Sequence, residues 1–358
     1  MFAFSLHPDA PGSHPTQKSF FRHFGSPETI VSRPLVRIFT LFALSVCLAD
    51  AQQSPAPSSR QSLDDAWWTG PLLAPSANTL PRGHTLIEPY LYDVISQGFY
   101  DASGTRHSAP HANEFGSLTY INYGLANKFT VGLIPTFDYV DASQGPNSSG
   151  IGVGDLNVQA QYRLRLFHEG SWLPTVSINV QETFPTGNFD HLGTNPNDGF
   201  GAGAFTTTLG FYTQTFFWMP NGRILRARFN VTQALSKSVN VEDVSVYGTA
   251  QGFRGHASPG AGLLLDLAGE YSITRHWVLA LDATYHHQYN TPVKGYDISN
   301  PDQTIQFNSG SSQAFALAPA FEYNFNNKVG VILGTRLFPA GKNTSNSITP
   351  VIAVNIVH

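Results

Sequence analysis

The chain alternates apolar and polar residues in segments of about ten residues. Residues 154–167 (GDLNVQAQYRLRLF) show the pattern: apolar side chains occupy the even positions from Leu156 to Leu166, and polar or charged side chains occupy the odd positions from Asp155 to Arg165. Alternation with period two predicts an extended strand with one apolar face and one polar face.

Strand-like segments of this kind recur from Gly83 to the end of the chain. We count twelve, which cover residues 84–96, 113–123, 129–140, 154–166, 173–184, 200–215, 223–233, 261–271, 277–289, 312–324, 329–338 and 347–357. The second segment, EFGSLTYINYG, alternates poorly, whereas the others have a recognisable apolar face.

The connections between the segments alternate strictly between short and long. The short ones are GLANK, HEGS, WMPNG, SITRH and NFNNK, and the long ones are 97–112, 141–153, 185–199, 234–260, 290–311 and 339–346. This sorting is typical of a transmembrane β-barrel, which has short periplasmic turns and longer outer loops. We therefore predict an all-β fold, an antiparallel barrel of about 12 strands in the bacterial outer membrane. Its expected partners are outer-membrane lipid on the apolar face and the outer-membrane assembly machinery.

Composition excludes several other classes of protein. Charged residues make up 12% of the chain, about half the usual fraction of a soluble domain, about 25%. Mean hydropathy is only -0.13, and no run of 18 apolar residues is present to form a membrane-spanning helix. The net charge of -4 does not favour nucleic acid as a partner. The one cysteine, Cys47, excludes a disulfide framework and a cysteine-based zinc site.

The region before the barrel divides into three parts. Residues 33–51 have the basic start, apolar core and small-residue cleavage site of a signal peptide. We expect residues 1–32 to be untranslated or an extended N-terminal region. Residues 52–82 form an irregular periplasmic leader or a plug, and residues 83–358 form the barrel. Of the two interpretations of the leader, we favour the one that places Trp67 and Trp68 at the membrane interface over one in which the leader folds into the lumen.

Three motifs resemble a family of Gram-negative outer-membrane proteins labelled "MetA-pathway of phenol degradation". They are GVGDLNVQAQYRL at residues 152–164, ETFPTGN at residues 182–188 and GVILGTRLFPAGKN at residues 330–343. The resemblance implies an outer-membrane barrel that carries or admits small, often aromatic, compounds. Such barrels usually end in an aromatic residue, whereas this chain ends in His358.

The alternation also predicts which charged side chains face the lumen and line its constriction. The basic set is Arg163, Arg165, Arg226, Arg228 and Arg336, and the acidic set is Glu88, Asp138, Asp155, Asp266, Glu270, Asp282 and Glu322. Because the acids concentrate on the eighth to tenth segments and most of the arginines on the fourth and seventh, we expect the two signs on opposing sectors of the wall. Two interpretations are open: a transverse field across a narrow pore, or ion pairs that fill the lumen.

The leading function is a channel or transporter for small solutes, with aromatic or hydrophobic compounds as candidates, and without catalytic residues, cofactor or metal. One alternative is a hydrolase at the barrel rim that uses His286 and Asp282. Another is a closed structural or adhesive barrel whose loops 234–260 and 290–311 bind partners. Oxygen-rich residues in the loop FDHLGTNPNDG are explained as well by turn formation as by a Ca²⁺ site.

Overall fold

The computed structural model describes residues 60–358, so the predicted signal peptide and the stretch before it lie outside the described residues. The strands of the described part are β1 (Thr85–Tyr100), β2 (Arg106–Ser108), β3 (Asn113–Ala126), β4 (Phe129–Ile134), β5 (Thr136–Asp141), β6 (Gly152–Val153), β7 (Leu156–Arg165), β8 (Thr175–Phe184), β9 (Thr206–Trp218), β10 (Ile224–Ser236), β11 (Val239–Glu242), β12 (Phe253–Ala257), β13 (Gly262–Ser272), β14 (Trp277–Gln288), β15 (Pro292–Asp297), β16 (Asn300–Asn308), β17 (Ser312–Asn324), β18 (Val329–Lys342) and β19 (Thr344–Val357). Short 3₁₀ turns occur at Leu63–Asp65 and Pro196–Asp198. Within residues 60–358 we find no helix with the length and hydropathy needed to cross a membrane.

Twelve antiparallel strands close into a barrel, and we call each of these strands, including the interrupted third one, a wall. In pairing order they are β1, β3, β4 with β5, β7, β8, β9, β10, β13, β14, β17, β18 and β19, and β19 pairs back to β1 with Val357 opposite Leu86. Each predicted segment forms one wall, including the poorly alternating second segment, which is β3. The prediction of a closed antiparallel barrel of 12 strands is therefore confirmed.

Burial in this barrel is the reverse of burial in a soluble domain. Outward-facing Leu91, Leu267 and Phe321 are 58–60% exposed, whereas inward-facing Asp282 and Glu322 are fully buried. A closed ladder pairs the backbone groups of every wall, which is one of the two ways a chain can cross hydrocarbon. The apolar face of each strand therefore contacts lipid, and the polar face lines the interior.

The third wall is interrupted, although the sequence predicts a continuous strand at residues 129–140. Pro135 separates β4 from β5, and β3 pairs with both pieces. Proline has no N–H to donate to a ladder, so the wall is split at this residue. The Pro135 carbonyl still accepts a hydrogen bond from the Thr119 N–H at 3.2 Å.

The two longest outer loops together build a second sheet. Strands β11 and β12 come from the loop predicted at 234–260, and β15 and β16 come from the loop predicted at 290–311. The sheet has its own small core of Val241, Phe253, Ala257 and Val293, each at most 2% exposed. The outer end of the molecule is thus an ordered β-structure.

Candidate functional site: the lumen and its plug segment

Residues 67–80, which we call the plug segment, run through the interior of the barrel. Their backbone N–H groups donate to carboxylates on the wall: Thr69 donates to Glu322 at 2.7 Å, and Leu72 and Ala74 donate to Asp282 at 3.0 Å each. Because charge-assisted hydrogen bonds are roughly twice as strong as neutral ones, these two carboxylates anchor the first half of the segment.

The second half of the plug segment is held by other walls. The Arg228 guanidinium donates to the Ala74 carbonyl at 2.6 Å, and the Gln161 amide donates to the Ser76 carbonyl at 2.9 Å. Further along, the Leu80 N–H donates to Thr130 Oγ1 at 2.8 Å. The segment therefore crosses from the walls formed by β14 and β17 to those formed by β10, β7 and β4.

Leu72 packs inside the lumen against one side of the barrel. It is 1% exposed and belongs to one cluster with inward-facing residues of seven adjacent strands, β14, β17, β18, β19, β1, β3 and β4: Tyr90, Leu118, Ile134, Ala280, Ala318, Ala320, Ile332, Val351 and Ala353. Leu73, Tyr92 and Tyr120 pack against this cluster. At this level an apolar layer occupies the interior, because small alanines on β17 and β19 leave room for the leucine.

The two tryptophans of the leader contact residues of the barrel rim and interior. The Trp67 ring packs edge-on against His276 with centroids 4.8 Å apart. Trp68 lies 6.3 Å from the inward-facing Phe216, and the Arg226 guanidinium lies 4.6 Å over its ring. The favoured interpretation, with both tryptophans in the membrane interface, is therefore wrong for Trp68, and the contacts are those of the plug alternative.

Two glycines of the wall make room for the leader. A Cβ at Gly330 would lie 2.0 Å from Thr69 Oγ1, and a Cβ at Gly124 would lie 2.1 Å from the Pro81 carbonyl oxygen. Any larger residue at either position would displace the segment. A glycine within a strand is a sequence signal that another chain segment approaches the wall closely, and these two positions carry it.

The arginines and acids of the seventh and eighth walls form ion pairs. Arg226 and Glu270 lie directly opposite each other on β10 and β13, and Arg226 Nε donates to the Glu270 carboxylate at 2.6 Å. Arg228 Nε lies 3.2 Å from the same carboxylate. The expectation that the two signs occupy opposing sectors is wrong for this pair of walls, since they are neighbours in the sheet. The arrangement is that of the second interpretation, ion pairs inside the lumen.

Three other predicted acids are distributed over the interior. Glu88 accepts from the Asn355 amide at 3.2 Å, and Asp138 accepts from the Tyr92 hydroxyl at 2.9 Å. Asp155 accepts from the backbone N–H groups of Gly187 and Ala202, which lie near the two ends of the outer connection between β8 and β9. Its role in the structure is thus to hold the two ends of this connection together.

Two further residues of the predicted set, one acid and one base, are buried inside the barrel. Asp266 is 2% exposed and lies opposite Asn230 on the neighbouring strand. Arg336 is 8% exposed, and its guanidinium lies 4.6 Å over the Phe338 ring. Both side chains are therefore directed to the interior face of their walls.

Arg165 does not face the lumen. The register of β7 against β8 shifts between Arg163, which lies opposite inward-facing Ser177, and Arg165, which lies opposite outward-facing Val176. A bulge of this kind adds one residue to one strand, so Arg165 is out of phase with Arg163. Arg165 therefore lies on the exterior at the periplasmic end, where it donates to Ser171 Oγ at 3.3 Å. The prediction for Arg165 is wrong, and Arg163 keeps its predicted inward position.

The geometry does not favour the hydrolase alternative. His286 and Asp282 share the inward face of β14, but both Asp282 oxygens accept hydrogen bonds from the plug segment, from the N–H groups of Leu72, Leu73 and Ala74. Both oxygens of the Asp282 carboxylate are thus occupied by hydrogen bonds from the backbone of the leader.

The polar residues of the loop FDHLGTNPNDG bind neighbouring loops. Asp198 accepts from the backbone N–H and the hydroxyl of Ser149 at 2.7 and 2.6 Å, and the Asn195 amide donates to the Asn147 carbonyl at 2.9 Å. Turn formation and loop-to-loop hydrogen bonds account for this oxygen-rich composition.

A cluster of charges joins this loop to the outer sheet. His191 Nδ1 lies 3.0 Å from Asp190, and its Nε2 lies 3.4 Å from Glu242 and 3.7 Å from Asp243. Arg254 of β12 pairs with Asp243 at 2.9 Å. The hydrogen bond to Asp190 and the nearby carboxylates raise the pKa of His191 above its usual value.

Comparison with known proteins gives a likeness of fold. An outer membrane channel from Pseudomonas putida F1 is 15% identical, with a TM-score of 0.60 over 79% of this chain and 98% of that chain. The translocator domain of the autotransporter NalP from Neisseria meningitidis is 12% identical, with a TM-score of 0.42 over 77% of this chain and 89% of that one. A mutant of TodX, a monoaromatic hydrocarbon channel, is 12% identical, with a TM-score of 0.38 over 82% and 96% of the two chains. Of these three, the first alone has a TM-score that bears on the fold.

No family model matches the chain, and no curated protein matches it. The resemblance to the phenol-degradation family therefore stays a prediction. The shared fold and the lipid-facing exterior establish a transmembrane barrel of the bacterial outer membrane.

Proposed function

We propose that the protein is an outer-membrane channel for small solutes whose passage is controlled by the plug segment. The observation that supports the proposal is the plug segment itself, a stretch without regular secondary structure that crosses a polar lumen and is covalently continuous with the barrel wall at its C-terminal end. It is held inside by hydrogen bonds and by the burial of Leu72, which are reversible interactions.

Outside the apolar layer around Leu72, the walls of the lumen carry polar side chains that can form hydrogen bonds with water and polar solutes. Inward-facing positions of β7 and β8 carry amides and hydroxyls such as Gln159, Gln161 and Asn179, and Gln161 and Asn179 donate to neighbouring side chains or backbone. Displacement of Leu72 would open the apolar layer and leave a pore bounded by polar side chains. Aromatic or hydrophobic compounds are the candidate solutes, because the tyrosines around Leu72 present rings to the path.

Single-channel conductance in a planar bilayer tests the proposal. We compare the chain from residue 52 to 358 with a variant that lacks residues 60–80, and with a control variant that lacks residues 52–58 only. We expect a low, steady conductance from the full chain and from the control, and a several-fold higher conductance from the variant without the plug segment. Phenol should partly block the current if aromatic solutes enter the lumen.

Two results would contradict the proposal. One is an absence of conductance in the variant without residues 60–80, although its heat-modifiable electrophoretic mobility shows a folded barrel. That result favours the closed structural barrel, in which the outer sheet binds partners. The other is an equal conductance in all three proteins, which would mean that the plug segment does not control the pore.

A further inference from the structure

The strands β18 and β19 separate before their hairpin closes. The ladder between them ends at the pair of Leu337 with Ile348. Beyond that pair, β18 continues to pair with β17, with Ala340 opposite Phe315, whereas Thr344–Ser347 of β19 pair with β1. The two strand ends therefore pair with different neighbours, and the wall has a gap at its outer end.

The side chain of Tyr100 enters this gap. It is 6% exposed, and its hydroxyl donates to the Phe338 carbonyl at 2.8 Å. The carbonyl thus takes a side-chain partner at a place where the ladder with β19 is missing. Beside Tyr100 lies a surface cavity of about 390 Å³, lined also by Phe338, Pro339 and Arg106.

The polar lining of the cavity is rich in donors. Arg106 is exposed on β2, and within residues 60–358 it has no acidic side chain at ion-pair distance. Asn346 is 6% exposed and also lines the cavity. Gln97 supplies another amide. A guanidinium and two amides facing one space are suited to a carboxylate, which accepts a bidentate pair from arginine.

The apolar part of the lining favours a ligand with an aromatic ring. Tyr100 and Phe338 contribute aromatic rings to the lining, and Leu337 and Ile348 contribute aliphatic side chains. A volume of 390 Å³ is at the lower end of the range of about 300 to 1,000 Å³ for small-molecule sites. The space therefore fits a compound with one ring.

We propose that this cavity binds a small aromatic carboxylate, with its ring against Tyr100 and Phe338 and its carboxylate toward Arg106 and the amides of Gln97 and Asn346. The site lies in the outer wall, away from the plug segment, so binding here does not depend on whether the lumen conducts. It is a ligand site in addition to the proposed channel.

Isothermal titration calorimetry of the refolded chain in detergent tests the site, with benzoate as the probe. Benzamide has the same ring without the charge, and acetate has the charge without the ring. We expect saturable heat with benzoate and none with benzamide or acetate at the same concentrations. Inorganic phosphate should not displace benzoate, because the ring contributes to binding.

Substitutions at three positions separate the role of the charge from general effects. Arg106→Gln should weaken benzoate binding about ten-fold or more, since a charge-assisted pair is lost. The matched control, Arg82→Gln, changes an exposed arginine at the periplasmic end and should bind benzoate as the wild type does. Gln97→Glu places a like charge in the cavity and should abolish binding, whereas Gln97→Leu should reduce it less.

The proposal is overturned if the folded wild type gives no saturable heat with benzoate, or if Arg106→Gln binds benzoate with wild-type affinity. Equal affinity for benzoate and acetate would also overturn it, because the ring would then have no part. Heat-modifiable mobility confirms that each variant is folded, and conductance recorded on the same preparations keeps this outcome separate from that of the channel.

Discussion

At residue scale, the fourth wall accommodates one extra residue, so that Leu164 and Arg165 together lie opposite Val176. Leu164 is 52% exposed to the lipid side, and Arg165 joins it on the exterior. Because side chains on a strand alternate with period two, the added residue puts Arg165 out of phase with Arg163. The inward arginines of this wall are thereby reduced to Arg163.

This difference predicts unequal effects of two similar substitutions on ion selectivity. Arg163→Gln removes a positive charge from the lumen, so the channel should become more selective for cations. Arg165→Gln removes a charge on the exterior and should leave selectivity unchanged. The measurement is the reversal potential across a bilayer with a gradient of KCl. Equal shifts in the two variants would contradict the exterior position of Arg165.

At the scale of elements, ion pairs between charged side chains join the outer loops into one unit. His191 comes from the connection between β8 and β9, whereas Glu242 ends β11 and Asp243 comes directly after it. The raised pKa of His191 means that the charged imidazole is stabilised by the folded loops. Its contribution is complete below the pKa of the unfolded chain, about 6.5, and is lost as the pH rises through the higher pKa of the folded state.

We therefore expect the contacts of His191 with the carboxylates of the outer loops to weaken as the pH rises above neutrality. Titration of the His191 ring protons by NMR should give a pKa above about 6.5, with the signal assigned by its loss in His191→Gln. Amide exchange in residues 243–252 should speed up between about pH 6 and pH 8 in the wild type, beyond the intrinsic pH dependence, and show no such excess in His191→Gln. A His191 pKa at or below the usual value would refute this account.

At the scale of the whole molecule, the barrel buries charge where a soluble protein buries hydrocarbon. Glu270 is fully buried between Arg226 and Arg228, which are 7% and 4% exposed. A buried pair gives little net stability by itself, but removal of one partner leaves the other charge uncompensated. Glu270 faces two arginines, so its loss leaves two such charges.

Glu270→Gln should therefore lower the free energy of unfolding by about 3 to 5 kcal/mol. Unfolding by guanidinium in detergent micelles, followed by tryptophan fluorescence, measures the change. The matched control is Glu169→Gln, which removes an exposed ion pair with Arg60 and should cost less than about 1 kcal/mol. A similar small loss in both variants would show that the arginines find other partners or water.

The number of walls, their approximate bounds and, for all but the poorly alternating second one, the side that faces lipid follow from the amino-acid sequence alone. These properties depend on alternation within ten residues and on the lengths of the connections, both of which are local. The same local pattern placed Asp282, Glu322 and Arg228 correctly on the interior face.

The binding partners of the interior charges, by contrast, depend on how the chain closes into a barrel. Thr69 and Glu322 are 253 residues apart in the chain, and Leu72 and Asp282 are 210 apart, so no short-range pattern relates them. Arg226 pairs with Glu270 because β10 and β13 are adjacent in the sheet, although a long outer loop separates them along the chain. The facing of Arg165 results from a bulge, and the outer sheet results from the meeting of two loops. The contacts inside the lumen require the barrel to be closed, because closure alone brings such distant residues into one interior.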